Sequence, residues 1–88
     1  MTDTVSLARI SSLTDTELLS LYLSLPPAPR DMAFISTAQA AGITGVSMRT
    51  IQLWIESGGV RAIVVGRNYR IVQESLKAYL ESQMDKRA

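Results

Sequence analysis

Two helix-start signals in the middle of this 88-residue chain, followed by two β-rich runs, constrain its fold more than any other feature. Ser36 and Ser47 suit helix N-caps, because a serine hydroxyl accepts hydrogen bonds from the backbone N–H groups of the first turn. Between them, Ile43-Thr44-Gly45-Val46 is typical of a turn, and Gly42 is expected to weaken or end the first helix. We therefore predict two short helices that meet at a tight turn.

The second of these helices has one apolar side. Ile51, Trp54 and Ile55 stand at positions i, i+3 and i+4, which places them on one face of a helix. We interpret Trp54 as a core residue rather than a platform for stacking bases, because it belongs to this face. Gly58-Gly59 ends the helix, since glycine adopts the left-handed conformation without steric cost. The pair of helices is a candidate helix-turn-helix.

A β-hairpin and a last helix follow. Residues 60–65 and 69–72 are rich in β-branched and aromatic side chains, and Gly66-Arg67-Asn68 separates them. Glycine and asparagine can both take positive φ, as hairpin turns require. The pattern of residues 73–84, with Leu76, Tyr79 and Leu80 on one face, predicts a helix.

An additional helix precedes this unit. Thr14-Asp15-Thr16-Glu17 has the Ser/Thr-x-x-Glu pattern of a capping box, and it predicts a helix of about Asp15–Leu25. Pro26-Pro27 should stop that helix, because proline lacks the donor N–H and restricts the residue before it. We expect residues 26–30, with three prolines, to form a stiff extended connector.

The apolar side chains of this N-terminal helix cover an arc of about 200°, where one core needs about 100°. Leu18, Leu21, Tyr22 and Leu25 can pack on the rest of the domain, which leaves Leu19 and Leu23 pointing elsewhere. Exposed apolar strips usually mark an interface. We therefore predict a homodimer interface that includes Leu19 and Leu23.

Composition excludes several classes of function. The chain has no cysteine and no histidine, which removes zinc sites, thiolate nucleophiles and histidine acid–base chemistry. Its carboxylates are scattered over caps and helix surfaces, so we predict no enzyme, no metal and no cofactor. No segment approaches the roughly 20 apolar residues that cross a bilayer, and residues 1–10 lack the pattern of a leader. We expect a soluble, cytoplasmic protein with no membrane partner.

The net charge is only +1, but the hairpin is strongly basic. Residues 61–72 contain Arg61, Arg67 and Arg70 and no acid. Guanidinium groups on a protruding hairpin suit phosphate contact, and a solvated arginine-rich turn is the alternative. The position of the hairpin directly after a helix-turn-helix favours DNA contact. For Tyr69 two roles stay open, a ring packed inward and a hydroxyl on a phosphate.

The exposed side of the second helix has residue types that recognise base edges. Arg49 and Gln52 can make paired hydrogen bonds to guanine and adenine, although many surface helices contain such residues. The predicted DNA contacts are Ser47, Arg49, Thr50, Gln52, Arg61, Arg67, Asn68, Tyr69 and Arg70.

The chain also resembles a known family over residues 34 to 80. The similarity lies in the segments Phe34-Ile35-Ser36-Thr37-Ala38-Gln39-Ala40-Ala41, Gly45-Val46-Ser47-x-Arg49-Thr50-Ile51-x-x-Trp54-Ile55-x-x-Gly58, Val65-Gly66-Arg67-x-Tyr69-Arg70-Ile71 and Leu76-x-x-Tyr79-Leu80. In this order they resemble the excisionase-type branch of the MerR-like winged helix-turn-helix proteins. Residues 47–54 are also similar to the DNA-binding end of phage terminase small subunits.

The resemblance to the excisionase-type branch implies that the helix after Ser47 enters the major groove and that the hairpin at Gly66 is the wing. It implies a transcription regulator or a DNA-bending recombination factor.

The sequence therefore predicts a mainly α protein with a small β-hairpin, a winged helix-turn-helix preceded by an extra N-terminal helix. Residues 1–30 would be the N-terminal segment and connector, and residues 31–88 the DNA-binding domain. We expect double-stranded DNA as partner, association with the nucleoid, homodimers and no small-molecule effector. The alternative function is an adaptor that docks a protein partner through the leucine-rich helix.

Overall fold

The computed structural model describes residues 13–87, and the first twelve residues of the predicted N-terminal segment lie outside them. The elements in chain order are α1 (Asp15–Ser24), α2 (Pro27–Ala33), β1 (Phe34–Ile35), α3 (Thr37–Thr44), α4 (Met48–Glu56), β2 (Ala62–Val65), β3 (Asn68–Val72) and α5 (Gln73–Arg87). The predicted architecture, a mainly α winged helix-turn-helix with a small β-hairpin, is confirmed, and the hairpin belongs to a three-stranded antiparallel sheet. Among these residues no helix is both long and apolar enough to cross a membrane.

Two helices begin with complete capping boxes. At α1, the Thr14 hydroxyl accepts from the Glu17 N–H at 3.2 Å, and the Glu17 carboxylate accepts from the Thr14 N–H at 2.9 Å. At α3, Ser36 and Gln39 form the same reciprocal pair, with both bonds at 3.0 Å. Because each pair satisfies N–H groups that lack an intrahelical acceptor, these local sequences fix where the helices start.

The expected extended connector at residues 26–30 was wrong. The chain turns at Pro26 and enters a second helix, α2, whose first residue is Pro27. Prolines are tolerated here because N–H groups in the first turn have no intrahelical acceptor, so their absence costs little. Three prolines therefore start a helix in this chain instead of excluding one.

Arg30 joins α2 to the end of α1. Its Nε donates to the Tyr22 carbonyl at 3.0 Å, and its Nη2 donates to the Leu25 carbonyl at 2.9 Å. The guanidinium carbon also lies 5.0 Å from the centre of the Tyr22 ring, in cation–π geometry. A cation at a helix C-terminus satisfies carbonyls that have no intrahelical donor, so this side chain stabilises the sharp connection.

Of the two effects expected of Gly42, to weaken or to end the first motif helix, the second was wrong. Helix α3 continues through Gly42 to Thr44, and Gly45 ends it with φ of 77°. A glycine inside a helix costs only about 1 kcal/mol relative to alanine, which the helix tolerates. The left-handed position at Gly45 is the actual stop, because glycine adopts it without strain.

The sheet has the strand order β1-β3-β2 and is antiparallel throughout. No strand was predicted at Phe34-Ile35, and in the structure these residues form β1, which adds a strand to the predicted hairpin. Phe34 lies opposite Val72, and Ile35 lies opposite Ile71. Strand β1 thus closes the side of β3 that the hairpin leaves open.

Both faces of the sheet are covered, by different helices. Neighbouring residues in a strand point to opposite faces, so Ile71 and Val72 belong to separate cores. The core around Ile71 joins the sheet to α3, α4 and α5, and its buried members are Ile35, Ala40, Ile51, Val60, Ile71 and Leu76. The core around Val72 joins the sheet to α1 and contains Leu18, Phe34, Ile63 and Val72. Helix α1 therefore packs on the face opposite the helix-turn-helix, with Leu18 fully buried.

Candidate nucleic-acid interface

Ser47 is the N-cap of helix α4, as predicted. The Ser47 hydroxyl oxygen accepts from the Thr50 N–H at 3.1 Å and lies 3.0 Å from the Thr50 hydroxyl. Two polar side chains are thus fixed at the start of the helix, the end that meets base edges in helix-turn-helix proteins. Ser47 is exposed and Thr50 is half-buried.

The two faces of α4 differ sharply. Ile51 is fully buried, and Trp54 is half-buried with its ring centre 5.0 Å from that of Tyr79 in α5. The predicted core role of Trp54 is therefore confirmed. The opposite face is exposed and consists of Arg49, Gln52, Leu53 and Glu56. Because Arg49 and Gln52 are three residues apart, their side chains project side by side.

The hairpin ends in a two-residue turn. Val65 pairs with Asn68, so Gly66 and Arg67 form the turn, and Gly66 takes φ of 66°. Positive φ at the first central position is what a type II′ hairpin turn needs, and glycine supplies it. Asn68 was expected to be available for positive φ, but it lies in β3, and within residues 13–87 only glycines have positive φ. Arg67 and Asn68 are both exposed at the tip.

The hairpin places the remaining predicted contacts on two different faces. Tyr69 shares a face with Ile71, the side that packs on the helix-turn-helix, because side chains alternate along a strand. It is half-buried. Arg70 lies between them and points to the other face, where α1 packs. The structure therefore brings Tyr69 to the α4 side and separates Arg70 from it.

Arg70 contacts the N-terminal helix. Its Nε donates to the Tyr22 hydroxyl at 3.3 Å, and the Tyr22 ring meets Phe34 edge-on at 5.3 Å. Arg70 also lines a recess of about 330 Å³ that includes Ser36 and Gln39 at the start of α3. The guanidinium therefore lies between α1 and the first helix of the motif.

Arg61 also contacts α1. It precedes β2, and its Nη2 lies 2.8 Å from a carboxylate oxygen of Asp15. Asp15 is 85% exposed, so solvent screens this ion pair and it contributes little to stability. The pair shows that the start of β2 lies next to the first turn of α1.

A buried serine attaches the base of the hairpin to α5. The Ser75 hydroxyl accepts from the Arg61 N–H at 2.9 Å and donates to the Val72 carbonyl at 2.8 Å. It is only 6% exposed. Because a buried hydroxyl that accepts and donates is well satisfied, it holds the hairpin at a fixed position on the domain.

Sequence reasoning did not connect Asp15, Tyr22 or Ser75 with the hairpin, which all three contact. Arg61 and Asp15 are 46 positions apart, and Arg70 and Tyr22 are 48 apart. No local pattern indicates contacts of that range. Leu53 lies on the same exposed face of α4, four residues from Arg49, and is 47% exposed.

Within residues 13–87 no group of three or more carboxylates is arranged to hold a metal ion.

Comparison with known proteins identifies one part of the chain. A family model described as a helix-turn-helix domain matches residues 34–84, from β1 to most of α5. The proteins it represents are excisionase-like DNA-binding domains. The comparisons with curated proteins and with solved structures gave no match.

Proposed function

We propose that this chain, which belongs to the helix-turn-helix family of excisionase-like DNA-binding domains, binds duplex DNA in a sequence-specific manner. In this proposal α4 enters the major groove and the β2–β3 hairpin contacts the backbone beside it. The observation that supports it is the division of α4 into a fully buried Ile51 and an exposed row with Arg49 and Gln52.

A shared core supports the joint use of α4 and the hairpin. Ile51 of α4 and Ile71 of β3 belong to the same buried cluster, and the half-buried Ala62 of β2 packs against it. Helix and hairpin are therefore held in one arrangement before DNA arrives, which lowers the entropic cost of ordering them on binding.

The proposed roles follow from position and chemistry. Arg49 and Gln52 would contact base edges, because both can form paired hydrogen bonds there. Thr50 borders this row, and Ser47 at the start of the helix would meet a phosphate. Arg67 and Asn68 at the exposed tip would contact the backbone, with the Tyr69 hydroxyl beside them.

In this proposal Arg61 and Arg70 also position the hairpin. Both contact α1, through Asp15 and Tyr22, so they hold the hairpin as well as add positive charge to it. An arginine has five N–H donors, and Arg70 uses its Nε for Tyr22. Its other N–H donors lie on the α1 side of the hairpin, so a phosphate contact by Arg70 requires the DNA backbone to reach that side.

The Leu19 and Leu23 side chains support the proposal of a homodimer. Leu18 is fully buried under the sheet, whereas Leu19 is 38% exposed and Leu23 is 64% exposed. A single module of this size buries little DNA-contacting surface, and a symmetric dimer doubles it. We propose a regulator of transcription or a DNA-bending factor that works in the cytoplasm on the nucleoid.

An adaptor function is the second candidate, and the same exposed leucines favour it. The net charge of +1 gives no general attraction to DNA. A protein partner could cover the Leu19 and Leu23 strip.

Site selection from a random duplex library tests the proposal. The full chain should enrich one sequence pattern and bind it more tightly than a shuffled duplex of the same length and composition. Arg49→Ala should lose that preference, while Lys77→Ala, which removes one exposed positive charge from α5, should keep it. Enrichment of no pattern would contradict sequence-specific binding and favour the adaptor.

A further inference from the structure

Strand β2 is an open edge of the sheet. Within residues 13–87 it has a neighbouring strand on one side only, because the strand order is β1-β3-β2. Its sequence is Ala-Ile-Val-Val, without a charge or a proline, and Val64 is 61% exposed. Exposed edges are usually protected by lysine, proline or a bulge, since their unpaired backbone groups invite another strand. This edge has none of those protections.

The hydrogen-bond pattern identifies the backbone groups at this edge. The Val72 N–H donates to the Arg61 carbonyl at 2.9 Å, so Arg61 directs its backbone toward β3. In an antiparallel pair, residues alternate between directing their backbone groups to the partner and away from it. Ile63 and Val65 therefore also bond to β3, whereas Ala62 and Val64 direct an N–H and a C=O each to the open side.

We infer that this edge pairs with β2 of a second copy of the chain, and this inference rests on the homodimer proposed above. The two strands run antiparallel, with Ala62 of each copy opposite Val64 of the other. Four backbone hydrogen bonds form, and the two-fold axis passes through the facing Ile63 residues. The two sheets join into one sheet of six strands.

The exposed Leu19 lies where this pairing needs apolar surface. A shallow crevice of about 310 Å³ runs between α1 and the edge, and Thr16, Leu19 and Val64 are among its lining residues. The two-fold axis of an antiparallel pair is perpendicular to the sheet, so both copies of α1 lie on the same face. Leu19 of each copy, which lines this crevice, then lies beside the junction.

Charge is complementary in the same register. Arg61, beside Asp15, lies opposite Val65 of the second copy, next to the hairpin turn with Arg67. The acidic first turn of α1, with Asp15 and Glu17, thus lies near the hairpin turn of the other copy and offsets repulsion between Arg61 and Arg67. The pairing also places both helix-turn-helix units on the opposite face of the joined sheet, where one duplex can reach both.

Amide hydrogen exchange on the unmodified chain tests the pairing. We expect the Ala62 and Val64 N–H groups to exchange about tenfold more slowly above the dimer dissociation constant than below it. The Ile63 N–H, which bonds to β3, is the internal control and should change little. Equal exchange of Val64 at all concentrations, fast or slow, would overturn the inference, since the edge would then be open or covered within one chain.

A pair of substitutions at one position separates the backbone bond from the side chain. Val64→Pro deletes the outward N–H and should fold, because proline is tolerated where the N–H of an edge strand faces outward. It should weaken dimerisation about tenfold to a hundredfold, since two hydrogen bonds are lost per dimer. Val64→Thr keeps the N–H and the β-branched shape and should dimerise within a few-fold of the unmodified chain.

Sedimentation measures the oligomeric state of these variants and of the double variant Leu19→Glu/Leu23→Glu. The comparison distinguishes failure of the strand-pairing inference from failure of the proposed function. If the two glutamates disrupt the dimer but a folded Val64→Pro variant still dimerises, strand pairing is wrong. The dimer would then depend on the leucines alone. An unmodified chain that stays monomeric would overturn both ideas about self-association. Sequence-specific DNA binding is measured separately and could hold in either case.

Discussion

The Arg70 guanidinium donates a hydrogen bond from Nε to the Tyr22 hydroxyl at 3.3 Å, and it thereby joins the hairpin to a helix 48 residues earlier in the chain. Arg61 makes the matching contact at the base of the hairpin, with Asp15. Both arginines were predicted from sequence as DNA contacts. Because both arginines contact α1, the N-terminal helix helps to position the hairpin on the domain.

Tyr22→Phe should therefore loosen the hairpin without removing the ring. We expect the free energy of unfolding to fall by about 0.5–1.5 kcal/mol, the usual net contribution of one hydrogen bond. The edge-on contact with Phe34 is kept, because the ring is unchanged. Urea unfolding followed by tryptophan fluorescence measures the difference, and an unchanged midpoint would mean that this bond contributes nothing.

Leu18→Ala should destabilise the whole domain. Leu18 is fully buried against Phe34, Ile63 and Val72, and removing such a side chain leaves a cavity that costs about 2–5 kcal/mol. Leu23→Ala is the matched control on the same helix, because Leu23 is 64% exposed and surface changes usually stay within about 0.5 kcal/mol. Similar unfolding curves for both variants, recorded at one protein concentration in the monomer range, would contradict the packing of α1 on the sheet.

The sequence was most informative where structure is set by neighbours in the chain. Thr14 with Glu17, and Ser36 with Gln39, fix two helix starts through bonds three residues long, so their patterns could be recognised directly. Gly66 likewise could be recognised as a turn residue, because glycine readily takes the positive φ that it has here. The exposed face of α4 followed from spacing alone.

The errors have a common physical cause. Helix α2 is joined to the end of α1 by the hydrogen bonds of Arg30. The sequence pattern does not indicate these bonds, because they depend on how the two helices are arranged. Strand β1 has two residues and exists because Ile71 and Val72 lie opposite it. The same holds for Arg61 and Arg70, whose partners are more than 40 positions away. In each case a contact distant in sequence decided the outcome.

Truncating Arg49 or Gln52 should reduce specificity. Each side chain can make two hydrogen bonds to one base, so Arg49→Ala or Gln52→Ala should cost about 1–3 kcal/mol on the selected site. The loss should be smaller on a shuffled duplex, where the paired contact is absent. Fluorescence anisotropy titrations with both duplexes measure this difference, and equal losses on the two would assign these residues to the backbone.

Arg67→Ala should weaken binding to all sequences to a similar degree. The side chain lies at the exposed turn of the hairpin, so we expect one lost phosphate contact and a salt slope reduced by about 1. Lys77→Ala removes the same charge from α5 and should leave the slope unchanged. If the two variants have the same slope, the hairpin turn is not part of the interface.

The salt dependence of duplex binding tests the central claim most directly. The dissociation constant of the unmodified chain is measured on its selected duplex over a series of salt concentrations. If arginines from α4 and the hairpin displace counterions, log affinity should fall linearly with log salt, by about 0.9 for each phosphate contacted. With contacts from both elements we expect a slope of about −2 or steeper, whereas a flat response, or no binding at low salt, would contradict DNA binding.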